Sequence, residues 1–250
     1  MDERIIISSK SYTIAISNNL GRNPEMKNKR NPYFDNMKFI LILLVVIGHT
    51  VEPFIHEYPL LYAFYKVIYT FHMPLFILIS GYFAKKAIRN RNYKKLVQNY
   101  LVPYLIFQVL YSIMYFSVQD KDIYTLRLFT PYFTLWFLLT VFTCHLILPW
   151  LLKLPAPMLW AILAGTAVGY INWDGKFLSF SRTFVFLPFF LAGYWAEERH
   201  FTFFQTRKWK LAAPLILLSF FICFYWFFPD LSSKWLTGSY NYQELGVTEW

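Results

Sequence analysis

The sequence has little charge and little cysteine. Only 15% of its 250 residues are charged, against roughly 25% in soluble domains, whereas 57% are apolar and 22% aromatic. The two cysteines, Cys144 and Cys223, lie in apolar stretches without C-x-x-C or metal-type spacing. This argues against a disulfide framework and favours small buried residues. Nine glycines are too few for a collagen-like or low-complexity chain.

Several enzyme motifs are absent as well. The sequence contains no G-x-x-x-x-G-K-[ST], no G-x-S-x-G and no H-E-x-x-H. ATP-driven pumping and serine-esterase chemistry therefore gain no support. The formal net charge is +10, which in a soluble protein would suggest nucleic acid. Here the basic residues lie mostly between apolar blocks, so membrane topology explains them better and no nucleic-acid partner is expected.

Long apolar blocks dominate what is present. A membrane span needs about 20 apolar residues, and several segments approach that length. We therefore predict an all-α, polytopic integral membrane helix bundle with about seven spans, of which the fifth and sixth are short. The predicted spans are about 37–55, 62–83, 101–118, 130–151, 157–171, 183–196 and 211–228.

The basic residues predict the orientation of these spans. Of the 24 Lys and Arg residues, 18 fall in the N-terminal segment and in alternate loops, and six lie in or near the opposite side. Because cytoplasmic loops carry an excess of Lys and Arg, we place the N-terminus in the cytoplasm and Trp250 outside. The expected location is the cell membrane, with multiple passes.

The two ends of the chain differ in character from the apolar blocks. Residues 1–32 form a polar, basic extension without helical periodicity, and translation starting at Met26 would remove most of it. Residues 33–250 form the expected membrane domain. The sequence stops shortly after an apolar span without a closing element, which is compatible with a C-terminally truncated domain.

The first predicted span carries ionisable groups. Lys38 and His49 are eleven residues apart, so on a helix they lie within about 20° of one another around the axis. Asp35 and Glu52 extend this polar stripe, which places His49 near the middle of the bilayer. Charged and imidazole groups at such depth usually face a cavity or the bundle interior. The alternative is a snorkelling lysine with a histidine that only packs.

The second span carries His72, in FHMPLFILISG. It is expected at the same depth as His49, and Pro74 can bend the helix there. These two imidazoles suggest a shared polar cavity, although a helix–helix hydrogen bond would also explain His72. His145 in the fourth span is a weaker candidate, for which packing is the simpler explanation. The three histidines lack thiolate or carboxylate partners at metal-type spacing, so no metal is expected.

Two further basic features have alternative explanations. The run Lys85–Lys95 suits either topology and anionic lipid headgroups or a cytoplasmic site for a polyanionic, nucleotide-bearing ligand. Arg182, near the opposite interface, suits either an anionic substrate or snorkelling. A histidine in a membrane cavity is suited to taking a proton from a hydroxyl near neutral pH.

Four sequence blocks resemble a known family. YFDNMKFILILLVVIGHT, with Lys38 and His49 in a basic-x10-His pattern, resembles the first-span signature of the membrane acyltransferase-3 family. FHMPLFILISGYF, WFLLTVF and SRTFVFLPFFLAGYW resemble later blocks of that family in the same order. The resemblance covers about residues 33–245, and the fucose 4-O-acetylase-like branch is the most similar.

The resemblance implies a membrane O-acyltransferase that moves acetyl from cytoplasmic acetyl-CoA to a hydroxyl of a carbohydrate, a lipid-linked sugar or another cell-envelope acceptor. His49 would be the general base or the acyl-handling residue, and Lys38 would help hold the CoA end or set the charge of the site. Such families usually have about ten spans, more than the seven predicted here. A transporter or flippase for a sugar or lipid-linked sugar, and a non-catalytic membrane scaffold, are the alternatives.

The predicted site residues fall into three groups. The catalytic group is His49, Lys38, Glu52 and His72. The group expected to bind acetyl-CoA is Lys38, Lys85, Lys86, Arg89 and Arg91. The group expected to bind the acceptor is Arg182 and Trp136.

Overall fold

The computed structural model describes residues 31–90, 92–119, 128–171 and 176–246. The chain divides into two units, residues 1–42 and 43–250. Most of the predicted polar extension, including Met26, lies outside the described residues. The side chains of residues 86, 89 and 116–119 are not described either.

The described parts of the chain are helical, which confirms the predicted all-α class. Apart from short 3-10 turns, the described helices are α1 Pro32–Val51, α2 Pro59–Arg89, α3 Tyr93–Leu96, α4 Val102–Gln119, α5 Trp136–Leu151, α6 Pro157–Ala167, α7 Phe180–Trp195, α8 Glu198–Phe204, α9 Arg207–Ile222 and α10 Lys234–Thr237. Two π-helical segments, Val97–Leu101 and Cys223–Phe227, precede α4 and extend α9.

Six helical segments in the described part of the chain are long and apolar enough to cross a membrane, and they correspond to six of the seven predicted spans. The fifth predicted span, about 157–171, is shorter. Its helix, Pro157–Tyr170, extends over roughly 22 Å, less than the ~30 Å hydrocarbon core. A short span was predicted at this position, and the helix agrees with its predicted bounds to within one residue.

The main packing contact of the second unit joins α2 to α7. At Gly81, a Cβ would overlap the carbonyl oxygen of Phe190, and at Gly193 it would overlap that of Leu78. The two helix backbones therefore touch directly, as small residues allow between membrane helices. Lys85, farther along α2, donates to the carbonyl oxygen of Ala196.

Helices α5 and α6 complete this core. In α5, the Trp136 ring stacks on Phe186, and the His145 ring lies edge-on to Phe190. Later residues of α5 thus meet later residues of α7, so the two helices run in the same direction. The short α6 brings the chain back between them, and its Gly165 packs on the backbone of α7.

After α9, the chain returns along the bundle as the C-terminal segment, residues 228–246. The Tyr62 hydroxyl of α2 donates to the carbonyl oxygen of Leu231 at 3.1 Å. Farther along, the Tyr242 amide donates to the carbonyl oxygen of Gly169 at 2.7 Å. This segment therefore connects the N-terminal half of α2 with the end of α6.

Candidate functional site

His49 lies in the last turn of α1 and is paired with a carboxylate. Its Nδ1 is 3.0 Å from Oε2 of Glu52, and the two side chains are 41% and 50% exposed. The sequence placed His49 midway along its span. However, α1 ends at Val51, because Pro53 lacks the amide hydrogen that a continuing helix needs, and a 3-10 turn, Glu52–Phe54, follows. This turn brings Glu52 to the imidazole.

The pairing with Glu52 defines the chemistry available to His49. An ionised carboxylate only accepts hydrogen bonds, so Nδ1 of His49 donates its hydrogen and Nε2 carries the lone pair of the neutral ring. A carboxylate in this position orients an imidazole and stabilises its protonated form. The arrangement can take a proton from a hydroxyl at Nε2.

Tyr69 of α2 links His49 to the second predicted histidine. The rings of His49 and Tyr69 meet edge-on with centroids 6.5 Å apart, and those of Tyr69 and His72 meet edge-on at 4.8 Å. Tyr65, one turn earlier, stacks on Tyr69 at 4.0 Å. Residues three or four apart share one face of a helix, so α2 presents these three rings together.

His72 is buried, with 3% of its surface exposed. Its Nδ1 lies 2.7 Å from the carbonyl oxygen of Ile68. A carbonyl oxygen only accepts, so Nδ1 of His72 donates and Nε2 carries the lone pair when the ring is neutral. The bond runs within α2, so it does not serve as a link between helices.

Arg182 of α7 lies within electrostatic range of Tyr69. Its guanidinium lies over the indole of Trp136 at 4.6 Å. Its Nε donates to the carbonyl oxygen of Thr237 at 3.2 Å. Arg182 therefore connects α5, α7 and the C-terminal segment while keeping a delocalised cation near the rings of α2.

The structure thus gathers five predicted residues around Tyr69. They are His49, Glu52, His72, Arg182 and Trp136, and we call this set, together with Tyr65 and Tyr69, the Tyr69 cluster. Every member belongs to the second unit. A site built from several helices of one core can hold its groups in fixed positions.

The remaining predicted site residues are separate from this cluster or cannot be placed. Lys85 is 16 residues beyond Tyr69 on α2, about 24 Å along the axis. Arg91 and the side chains of Lys86 and Arg89 lie outside the described residues. Lys38 belongs to the part of α1 that lies in the first unit, which ends at residue 42, and its role stays a prediction.

His145 has a different environment. It is buried, its Nδ1 donates to the carbonyl oxygen of Val141 at 2.8 Å, and its ring lies between Tyr100 and Phe190. It is a core residue, in agreement with the simpler explanation for it. Among the described residues, no group of three or more His, Cys, Asp or Glu side chains is close enough to hold a metal ion.

Comparison with known proteins gives the chain a family. The model of the acyltransferase-3 family, described as an acyltransferase domain, matches residues 31–247. The chain belongs to this family. The six long apolar helical segments of the described residues, together with the family match, support a multi-pass membrane protein. No solved structure matches the chain significantly.

Two curated proteins that are similar to this chain are both called nodulation protein NolL. The protein of Mesorhizobium japonicum is 28% identical over 156 residues, which cover 58% of this chain and 42% of the relative. That of Sinorhizobium fredii is 42% identical over 82 residues, or 32% of this chain and 22% of the relative. The chain therefore spans less than half the length of either relative.

Three residues in or beside the site were not predicted from the sequence, namely Tyr65, Tyr69 and Thr237. Tyr69 precedes His72 by three residues, so helical spacing alone could have placed the two rings on one face. Thr237 contributes a backbone carbonyl across 55 residues. No local pattern predicts a contact of that kind.

Proposed function

We propose that this protein is a membrane O-acyltransferase that transfers an acetyl group from acetyl-CoA to a hydroxyl of a carbohydrate or other cell-envelope acceptor. The observation that carries this proposal is the His49–Glu52 pair inside the Tyr69 cluster. Membership of the acyltransferase-3 family supports the reaction class. The finer points, namely the donor, the acceptor, the cell membrane and the similarity to the fucose 4-O-acetylase branch, are part of the proposal.

The proposed reaction begins with proton transfer to His49. Nε2 of His49 accepts the proton of the acceptor hydroxyl while its oxygen attacks the thioester carbonyl carbon. The carbon–sulfur bond then breaks, and the imidazolium returns the proton to the departing thiolate. Glu52 stabilises the imidazolium between the two proton transfers. General base catalysis of this kind contributes roughly 10²–10⁴-fold, and positioning of the two reactants contributes more.

In this proposal, the donor approaches from the end of α2 that carries Lys85. Basic side chains suit the phosphates of acetyl-CoA, and the predicted topology places them on the cytoplasmic side. Lys85 and His72 are 13 residues apart on α2, or about 20 Å along the axis. A donor held by its phosphates near Lys85 must therefore reach into the bundle to present its thioester to the cluster.

The acceptor approaches from the opposite end, where Arg182 and Trp136 lie. A guanidinium stacked on an indole offers hydrogen-bond donors beside an aromatic face. This combination suits a hydroxyl-rich and partly anionic molecule such as an envelope carbohydrate. With the two substrates entering from opposite ends, the hydroxyl and the thioester meet near His49.

The test uses purified protein in lipid nanodiscs, labelled acetyl-CoA and a mixture of envelope glycans, without an ion gradient. We expect His49→Ala to lower transfer by about 10²–10⁴-fold with unchanged yield, because His49 is exposed and its removal leaves no cavity. His145→Leu is the matched control, since it removes a buried histidine outside the cluster. It should retain most of the transfer.

Two outcomes would contradict the proposal. Undiminished transfer by His49→Ala would remove the general-base assignment. Uptake of sugar into sealed vesicles by the wild-type protein, without incorporation of label into any glycan, would support the transporter alternative instead.

A further inference from the structure

A cavity outside the Tyr69 cluster remains without an assigned function. It has a volume of about 510 Å³ and lies between α6, α7 and the C-terminal segment. This volume is typical of small-molecule sites. Neither His49 nor His72 lines it, so the acyl-transfer chemistry does not account for it.

The wall formed by α6 and α7 is mostly apolar and is open at the side. Ile162 and Phe189 line it and are 47% and 40% exposed, and Val185 and Pro188 line it as well. These residues belong to helices of a membrane bundle, so the opening faces hydrocarbon. A wall of this kind suits an alkyl or isoprenoid chain lying along the groove between α6 and α7.

The wall formed by the C-terminal segment is aromatic and cationic. Lys234, Tyr240 and Tyr242 line the cavity, and Nζ of Lys234 lies 5.2 Å from the centre of the Tyr240 ring. Lys176 approaches the same ring at 5.9 Å. The nearby carboxylate of Glu244 accepts a hydrogen bond from the amide of Asn241 at 3.1 Å. The wall therefore carries positive charge beside tyrosines, a combination common at membrane interfaces.

Together the two walls match an amphiphile with an anionic head. We propose that the cavity binds a phosphate-bearing lipid, with its chain along α6 and α7 and its phosphate at Lys234. Each Lys near an anionic headgroup contributes about 1 kcal/mol to its binding. The choice of a phosphate lipid rests on this complementarity of charge and polarity, independently of the proposed acyl transfer.

The backbone around α10 separates this cavity from the Tyr69 cluster. Ser181 lines the cavity and donates to the carbonyl oxygen of Gly238 at 2.9 Å. The next residue, Arg182, donates to Thr237 and stacks on Trp136. A lipid held against Gly238 therefore contacts the same turn that positions Arg182.

The test is photo-crosslinking of the full chain in phosphatidylcholine nanodiscs with a photoactivatable phosphatidylglycerol. We expect labelled peptides from residues 181–189 and 234–245. Lys234→Gln should reduce labelling about fivefold. Thr166→Trp should block it by filling the cavity from the α6 side. Lys153→Gln is the matched control, because Lys153 is an exposed lysine that stacks on Trp150 away from the cavity, and it should label normally.

Competition then identifies the source of the phosphate lipid. Unlabelled phosphatidylglycerol and a polyprenyl phosphate are added separately, and displacement by either supports the proposal and shows which one binds better. The proposal is overturned if neither competes, or if a photoactivatable phosphatidylcholine labels the same peptides equally well. Unchanged labelling in Lys234→Gln would also overturn it, even if Thr166→Trp failed to fold.

Discussion

The two halves of α2 pack against the rest of the second unit by opposite means. In the N-terminal half, Tyr69 and His72 present large rings that touch other side chains edge-on. In the C-terminal half, Gly81 presents no side chain, and the backbone of α7 comes into direct contact. One half places polar rings against its surroundings, whereas the other brings its backbone into contact with the backbone of α7.

A buried lysine shows how far the N-terminal half departs from ordinary membrane packing. Lys66 is only 1% exposed. Its Nζ donates to the carbonyl oxygens of Phe228 and Pro229 at 2.9 and 2.8 Å and lies 4.1 Å from the centre of the Tyr62 ring. Carbonyl oxygens at the end of a helix lack hydrogen-bond partners within it. The lysine donates to two such oxygens, just beyond the π-helical segment Cys223–Phe227 that extends α9.

This difference predicts which half of α2 tolerates substitutions. Edge-on rings can shift by small rotations, so substitutions near Tyr69 should alter chemistry while the bundle persists. Two backbones in contact cannot shift without moving whole helices. Substitutions near Gly81 should therefore act on assembly, and the comparison can be tested at residues on each side.

The largest effect is expected at the glycine contact. Gly193→Val places a branched side chain where a Cβ already overlaps the carbonyl oxygen of Leu78. Overpacking usually costs about 1–3 kcal/mol, and we expect more than about 3 kcal/mol here because the opposing atom belongs to a backbone. Size-exclusion chromatography and thermal unfolding in detergent would show loss of the monodisperse protein.

The control for Gly193→Val is Ala192→Val on the same helix. Ala192 is half-buried, and it is not part of the backbone contact, so the added methyl groups should lower the melting temperature only slightly. A stable Gly193→Val protein would mean that α2 and α7 separate easily, and the contrast between the two halves would be lost.

Most of the fold was predictable from the sequence, because apolar length alone identifies membrane helices. Six of the seven predicted spans have counterparts of full length. The exception, Pro157–Tyr170, was predicted as a short span, whereas the other span predicted to be short, at about 183–196, belongs to the longer segment Phe177–Trp195. The contacts of Lys66 were not predictable, since its partners lie 162 and 163 residues away.

The site was predictable in its residue types but not in its arrangement. The polar stripe on α1 pointed to His49 and Glu52, yet their contact depends on a 3-10 turn that begins as α1 ends. Arg182 and Trp136 were named separately from their sequence blocks, and only folding stacks one on the other. Their catalytic and substrate-binding roles stay predictions.

A smaller effect is expected at Glu52, which belongs to the Tyr69 cluster beside the N-terminal half of α2. Glu52→Gln keeps a hydrogen-bond acceptor for His49 but removes the charge that stabilises the imidazolium, so we expect kcat to fall about tenfold with normal protein yield. Glu57→Gln removes an exposed carboxylate from the same loop and should leave the rate unchanged. An equal loss in both variants would show that loop charge, rather than pairing with His49, is responsible.

The smallest effect is expected at Trp136, which belongs to both environments, since it stacks on Phe186 in the core and on Arg182 in the cluster. Trp136→Phe keeps an aromatic ring against the core but weakens the cation–π contact, which is worth about 0.5–2 kcal/mol. We expect the KM for the acceptor to rise about threefold, with kcat and thermal stability nearly unchanged. Trp150→Phe weakens a similar contact with Lys153 at the other end of α5 and should leave the KM unchanged. A fall in thermal stability without any rise in KM would show that Trp136 acts only in core packing, because a ring that only fills space has no effect on substrate binding.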